Sequence, residues 1–188
     1  MDAALHVLDA RGLKAVSTRA VAQQLGVRMN TVLWHVKTKA RLIDLMADRV
    51  VSHASLEHLP ESGMPRVEEL TRRYRQALLT HRDGAALVSG TYPAEPHTLT
   101  FAEALIEALV AAGMTDREAV WTCWSLVYFT LGVTQEQQAL AGADPDRLDA
   151  ALVEGAHPTL SRVMPYLLQG SFEERFEFGL ALLLKLRP

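Results

Sequence analysis

At 188 residues, 49% of them hydrophobic, the chain holds one domain, or a small one joined to a larger one, and is by composition an ordinary soluble protein. No apolar run reaches the roughly 18 residues of a membrane span, and no basic-then-apolar signal layout opens the chain, so a cytoplasmic protein away from the membrane is expected. The formal net charge of −3 argues against a nucleic-acid binder taken whole, yet residues 1–50 hold eight Lys and Arg against four Asp, leaving −7 for the remainder; such a basic head on an acidic body suits a protein of which one end meets a polyanion.

Apolar residues recur at three and four along nearly the whole chain, and no alternating β pattern with hairpin turns interrupts them, which predicts an all-α fold. A first helix carries Ala4, Val7 and Leu8 and breaks at Gly12. Ser17 or Thr18 caps a second over 19–25, with Val21, Ala22 and Leu25 inward; Gly26 stops it, and a third starts near Met29. Two short helices around a tight Gly-containing turn make a helix-turn-helix. Thr38 caps a fourth helix with Leu42, Leu45 and Met46 inward. Longer helices follow, one carrying Leu105, Leu109 and Val110, one near 117–140 and a last near 172–186. Between the last two, the Gly, Asp, Pro and Ala-rich stretch 141–158 is expected to be a mobile surface excursion. The final segment is apolar on more sides than a monomer's surface helix needs: Phe176, Phe178, Leu180, Leu182, Leu183, Leu184 and Leu186 exceed one stripe, and packing against a twin absorbs the surplus.

The third helix carries Leu33, Trp34 and His35 side by side, and one inward stripe cannot bury all three. Val32 and Val36, four apart, supply its buried back. Asn30, Thr31, Leu33, Trp34 and His35 then spread over the flanks and the front. If that front enters a DNA major groove, Leu33 meets thymine methyls, Thr31 and His35 reach base edges or phosphate, and the Trp34 ring lies along sugar and backbone. The free N–H groups opening the fourth helix, with Lys39, suit a phosphate. The competing reading, that Leu33 and Trp34 pack against the neighbouring helix, stays open for Trp34.

The stretch STRAVAQQLGVRMNTVLWHVKTKARLIDLM (17–46) resembles the DNA-binding region of the tetracycline repressor family. Members of that family read S/T-x-R-x-apolar-A-x-x-apolar-G-V, followed by a short recognition helix and a capped fourth helix. LLTHRDGA (78–85), GTYP (90–93) and YFTLG (128–132) are similar to body segments of the family at about matching intervals. The resemblance implies an all-α homodimer. A three-helix helix-turn-helix head (1–37) binds a palindromic double-stranded DNA operator, and a larger body (38–188), linker helix included, dimerises and holds a small-molecule inducer that releases the DNA. Carried over one by one, Arg19, Arg28, Met29, Asn30, Thr31, Leu33, Trp34, His35 and Lys39 fall on positions that contact operator. Leu33 stands where tetracycline-binding members of the family have Tyr, Met29 where they have Gln and Asn30 where they have Pro, which implies a related but not identical operator. The sequence begins at the start of its first helix, ahead of which many members carry a basic arm.

In tetracycline-binding members the drug arrives as a magnesium chelate, and a His just before the Gly-Thr-x-Pro turn binds the metal. The matching residue here is Val88, which has no lone pair to offer. Glu136 matches the family's supporting acidic position, but one carboxylate without that His is a poor metal site. Leu70 replaces the amide that holds the drug rings, and Tyr74 stands where a Phe is expected. The implied ligand lining is Leu70, Tyr74, Val88, Thr91 and Tyr92, with Trp124, Ser125 and Tyr128 from a later helix. Such a lining, with no metal and no cofactor, suits a flat or hydrophobic molecule of moderate size.

Catalysis is not expected, and no catalytic residue is assigned. HRD at 81–83 has the letters of a kinase catalytic loop but neither the Asn five residues after its Asp nor a glycine-rich loop, and it better suits a capped bend before Gly84. His53 and His58 are five apart with no HExxH, and no G-x-S-x-G occurs. Cys123, the single cysteine, lies between Trp121 and Trp124 as a buried, inert thiol. The alternative to a DNA-binding regulator is a helical ligand-binding or adaptor dimer whose head has no operator function.

Overall fold

The computed structural model describes residues 1–91, 94–141 and 156–185, the side chain of Leu168 excepted. Helix α1 (Asp2–Arg11) buries Ala4, Leu5, Val7 and Leu8, and a short 3-10 turn (Leu13–Ala15) leads to α2 (Thr18–Leu25). Ser17, not Thr18, caps α2: its Oγ accepts the Ala20 N–H at 3.1 Å. Gly26 ends the helix at φ 67°, a left-handed turn that costs any other L residue. Helix α3 (Met29–Val36) buries Val32 and Val36 alone, and α4 (Lys39–Val51) begins where Thr38 Oγ1 accepts the Arg41 N–H at 3.0 Å.

The body comprises α5 (Gly63–Leu79), α6 (Gly84–Ser89), α7 (Pro96–Ala111), α8 (Asp116–Ala139), α9 (Pro158–Gln169) and α10 (Phe172–Lys185). Ten α-helices and no strand are thus found among the described residues, in the all-α arrangement expected. A Thr115/Glu118 capping box starts α8. Helix α5 packs on α7 and α8, and α8 in turn carries α6 and α10. Gly179 of α10 permits close approach to α8, since a Cβ there would lie 2.2 Å from Phe129 Cζ. Beside it the buried Arg75 of α5 donates to Gln137 at 2.9 Å and to the Glu173 carboxylate, and lies 4.8 Å from the Phe176 ring centroid. Charge pairing and cation–π contact compensate a guanidinium that burial alone would not tolerate.

Two features join head to body. Leu42 and Met46 of α4 are buried in a core that runs on without a gap through Ala47, Val50 and Val51 into α5 and α7. The second is the HRDG turn, and here the local cap expected from the sequence is corrected. Asp83, at φ 56°, makes no side-chain cap to α6; its carboxylate accepts the Leu13 N–H of the head at 2.8 Å. Asp9 of α1 takes His81 Nδ1 at 2.9 Å and the Arg82 N–H at 3.0 Å. From the body side Gln138 Nε2 donates to the carbonyls of Leu78 and His81. Gly84 is required there, because a Cβ would sit 2.2 Å from the Leu78 carbonyl oxygen.

Other expectations shift at the edges. Leu25 is 54% exposed instead of inward, because the last turn of α2 borders an open apolar groove with Met1 and Val27. Val110, near the end of α7, is also exposed. Most of the excursion expected over 141–158, and Leu186, lie outside the described residues.

Asp48 ties α4 to the start of α7. Its buried carboxylate accepts from His97 Nδ1 at 2.7 Å, from the Thr98 N–H at 2.8 Å and from Thr98 Oγ1 at 3.0 Å. Burial pushes this carboxyl up, but the bonds from His97 and Thr98 outweigh it, so Asp48 ionises below its ordinary value. Asp48→Ala is expected to lower the unfolding free energy by about 2 kcal/mol at neutral pH. Because the folded value is the depressed one, this contribution is complete above the unfolded carboxylate value and is lost as pH falls through the folded value. Urea unfolding of wild type and variant should therefore converge in acid; a gap that does not change with pH would exclude the ionised carboxylate as its source.

Candidate DNA-reading face and ligand cavity

With its back on Val32 and Val36, α3 turns the remaining side chains outward. Arg19, Arg28, Met29, Asn30, Thr31, Trp34, His35 and Lys39 are exposed, and Leu33 is half-buried on the flank. Trp34 is 71% exposed, so the reading that packs it into the head does not hold. Its ring meets His35 edge-on at 4.8 Å and lies 5.6 Å from Lys37 Nζ. Lys37 was not singled out from the sequence. It sits at φ 63° in the turn between α3 and α4, a backbone setting uncommon for a residue with a Cβ, and adds a cation next to the exposed indole. The starts of α2, α3 and α4 thus bring Arg19, Arg28 and Lys39 to solvent, each near backbone N–H groups that favour an anion.

In the body, α4, the end of α6, α7 and α8 surround a cavity of about 210 Å³. Tyr74, Val88, Thr91, Trp124 and Tyr128 stand on its wall. Leu70 does not: it is fully buried in the core behind the wall. Ser125 is exposed off the cavity, its hydroxyl donating to the Trp121 carbonyl at 2.9 Å, because one helical turn separates the wall positions Trp124 and Tyr128 and Ser125 falls beside that stripe. Tyr92 lies outside the described residues. Glu136 is exposed and away from the wall.

Two aromatic pairs build the walls. Tyr74 and Phe101 stack at 5.1 Å between ring centroids, Trp124 and Tyr128 at 5.4 Å. Burial pushes the Tyr74 phenol above its ordinary value and the Cys123 thiol up to about 11, so both are neutral and neither is an activated nucleophile. Asp44, Asp48, Glu95 and Phe101 also reach the cavity, and sequence reasoning missed all four. The spacing of Asp44 and Asp48, one helical turn apart on α4, is the signal in the sequence that points to them.

Away from the cavity, α8 exposes Trp121, and α10 exposes Phe178 and Leu182 while Phe176, Leu180 and Leu184 face the core. Phe176, Leu180 and Leu184 of the last helix therefore belong to this chain's own core, and Leu183 packs partly against it.

Residues 1–46 match the family described as bacterial regulatory proteins, tetR family, and residues 59–185 match the tetracyclin repressor-like C-terminal domain. The chain is 34% identical over 180 residues to the class E tetracycline repressor protein of Escherichia coli, across 94% of this chain and 83% of that one. It is 34% identical to a possible TetR family transcriptional regulator from Streptomyces coelicolor A3(2), whose crystal structure superposes with a TM-score of 0.88 over 98% of this chain and 94% of that one. ActR from Streptomyces coelicolor, solved in complex with actinorhodin, is 28% identical with a TM-score of 0.84 over 97% and 91% of the two chains. An exposed recognition helix on a capped three-helix head, a helical body with a cavity, and family matches to both parts identify the chain as a member of the TetR family of bacterial transcriptional regulators.

Proposed function

We propose that the chain is a ligand-responsive repressor: a homodimer that binds a palindromic operator in double-stranded DNA and is released by a small, largely apolar or aromatic inducer without a metal or other cofactor. The observation that carries this reading is the face of α3, which buries only two valines and leaves Thr31, Trp34 and His35 in solvent among Arg19, Arg28, Lys37 and Lys39. On this reading Thr31 and His35 read base edges, Trp34 and Leu33 pack on sugars and thymine methyls, and the basic side chains with Met29 and Asn30 fit the backbone around them. Head (1–37) and body (38–188) then divide reading from sensing, in the cytoplasm where the operator lies. The exposed Trp121, Phe178 and Leu182 support a second copy packed on α8 and α10, because aromatic and aliphatic side chains left in water at that density mark an interface. ActR in complex with actinorhodin is a precedent in this family for a small-molecule complex. An adaptor without operator function has no use for an indole held in solvent beside the Lys37 ammonium.

Mobility shifts against palindromes near the chain's own gene should find a duplex that binds two copies. On it Thr31→Ala and His35→Ala should each cost about 1–3 kcal/mol while sparing random DNA. Lys39→Ala should weaken both DNAs alike and lower the salt slope by about one. Equal losses on cognate and random DNA for all three variants would remove the base-reading roles, and no shift on any duplex would favour the adaptor.

Magnesium with tetracycline is expected neither to raise the melting temperature nor to release the operator. Val88 would strip water from the ion and return no lone pair. Release by micromolar tetracycline that depends on magnesium would contradict this, whereas an aromatic inducer should act in the presence of chelator and quench Trp124 fluorescence.

A further inference from the structure

The cavity is lopsided in charge. Asp44, Asp48 and Glu95 stand on its wall, and no Lys, Arg or His does among the described residues. Two of the three acids are occupied: Asp48 by His97 and Thr98, and Glu95 by the guanidinium of Arg41. Asp44 is half-buried, one turn before Asp48 on the same face of α4, and makes no ion pair or hydrogen bond with any described residue. Arg41 is three residues away, but its guanidinium goes to Glu95. Even with Arg41 and a protonated His97 counted, three carboxylates face two cations, and both cations are already engaged.

A second observation points into the same space. Tyr74 is 5% exposed and stands on the cavity wall, yet its hydroxyl has no hydrogen-bond partner among the described residues. The hydroxyl is not shut away from the cavity, so it is a polar group free to hydrogen-bond a ligand atom there. The stacked pairs Tyr74–Phe101 and Trp124–Tyr128 add π faces, which attract positive charge and pack on flat apolar rings.

We infer that the inducer is an aromatic cation, a flat apolar body packed on these rings whose protonated amine pairs with Asp44 and which hydrogen-bonds the Tyr74 hydroxyl. This rests on the cavity being the inducer site proposed above. An anion there would meet carboxylates with no free cation to answer it. A neutral molecule would cover Asp44 without giving it a partner, which is the costly way to desolvate a charge. A bare divalent ion fits poorly: it needs six or more oxygens, and no three His, Cys, Asp or Glu side chains converge among the described residues.

Three probes of nearly equal shape test the inference by calorimetry on the full chain at neutral pH in chelator: 1-naphthylmethylammonium, 1-naphthylmethanol and 1-naphthoate. The ammonium should bind about tenfold tighter than the alcohol, and the naphthoate weakest of the three. Asp44→Asn should bring the ammonium-to-alcohol ratio close to one, and Val88→Trp, which fills the cavity, should remove all three. An alcohol that binds wild type as tightly as the ammonium overturns the cation assignment without any variant, as does a ratio that survives Asp44→Asn; the cavity reading stands in both cases. Absence of binding by every probe, or binding unaffected by Val88→Trp, overturns the cavity reading and the assignment with it.

Discussion

A carboxylate taken out of water must be given donors, and Asp48 takes all of its donors from the first turn of α7. That turn has its own need. Pro96 at its start lacks an N–H, Glu95 supplies no side-chain cap, and the Thr98 N–H would otherwise be unsatisfied. The two needs meet in one contact, a helix cap delivered from a different helix. Its consequence is mechanical: α4 cannot slide along α7 without stranding both a buried charge and a helix end. Since α4 also begins at the proposed DNA-reading face with Thr38 and Lys39, one rigid helix of 13 residues links that face to the cavity.

Helix α6 supplies a second connection. Val88 and Ser89 at its end stand on the cavity wall, while Asp83, immediately before its start, holds Leu13 of the head. The six residues of α6 thus reach from the head contact at Asp83 to the cavity wall. A ligand shifts such an assembly by binding one arrangement of α4 and α6 better than another, and the shift cannot exceed that difference in affinity. The close-packed tie of α5, α8 and α10 through Arg75 and Gly179 leaves the opposite side of the body little freedom to absorb the movement.

The fold was legible where local chemistry decides it. Ser17, Gly26 and Thr38 punctuate the head through caps and a left-handed turn, and those signals act within a few residues. The front of α3 was legible for a related reason: three bulky neighbours on one short helix cannot share a single buried stripe. Contacts across the fold were not legible. Asp83 bonding Leu13 spans 70 residues and Asp48 bonding Thr98 spans 50, and no periodicity predicts which carboxylate finds which distant N–H. The acidic side of the cavity was missed for the same reason, because Asp44 of α4 and Glu95, just before α7, meet only through a tertiary contact. Leu70 and Ser125 show the limit of carrying positions over from a resemblance: here the first lies in the core and the second in solvent.

If cavity and operator compete through shared helices, thermodynamic reciprocity makes the competition measurable. The measurement is the affinity of the tightest of the three naphthalene probes for the chain, free and then saturated with operator duplex. Binding to the operator-bound chain should be weaker, by the same factor by which the probe lowers operator affinity. A probe that binds the free and the operator-bound chain equally would contradict it.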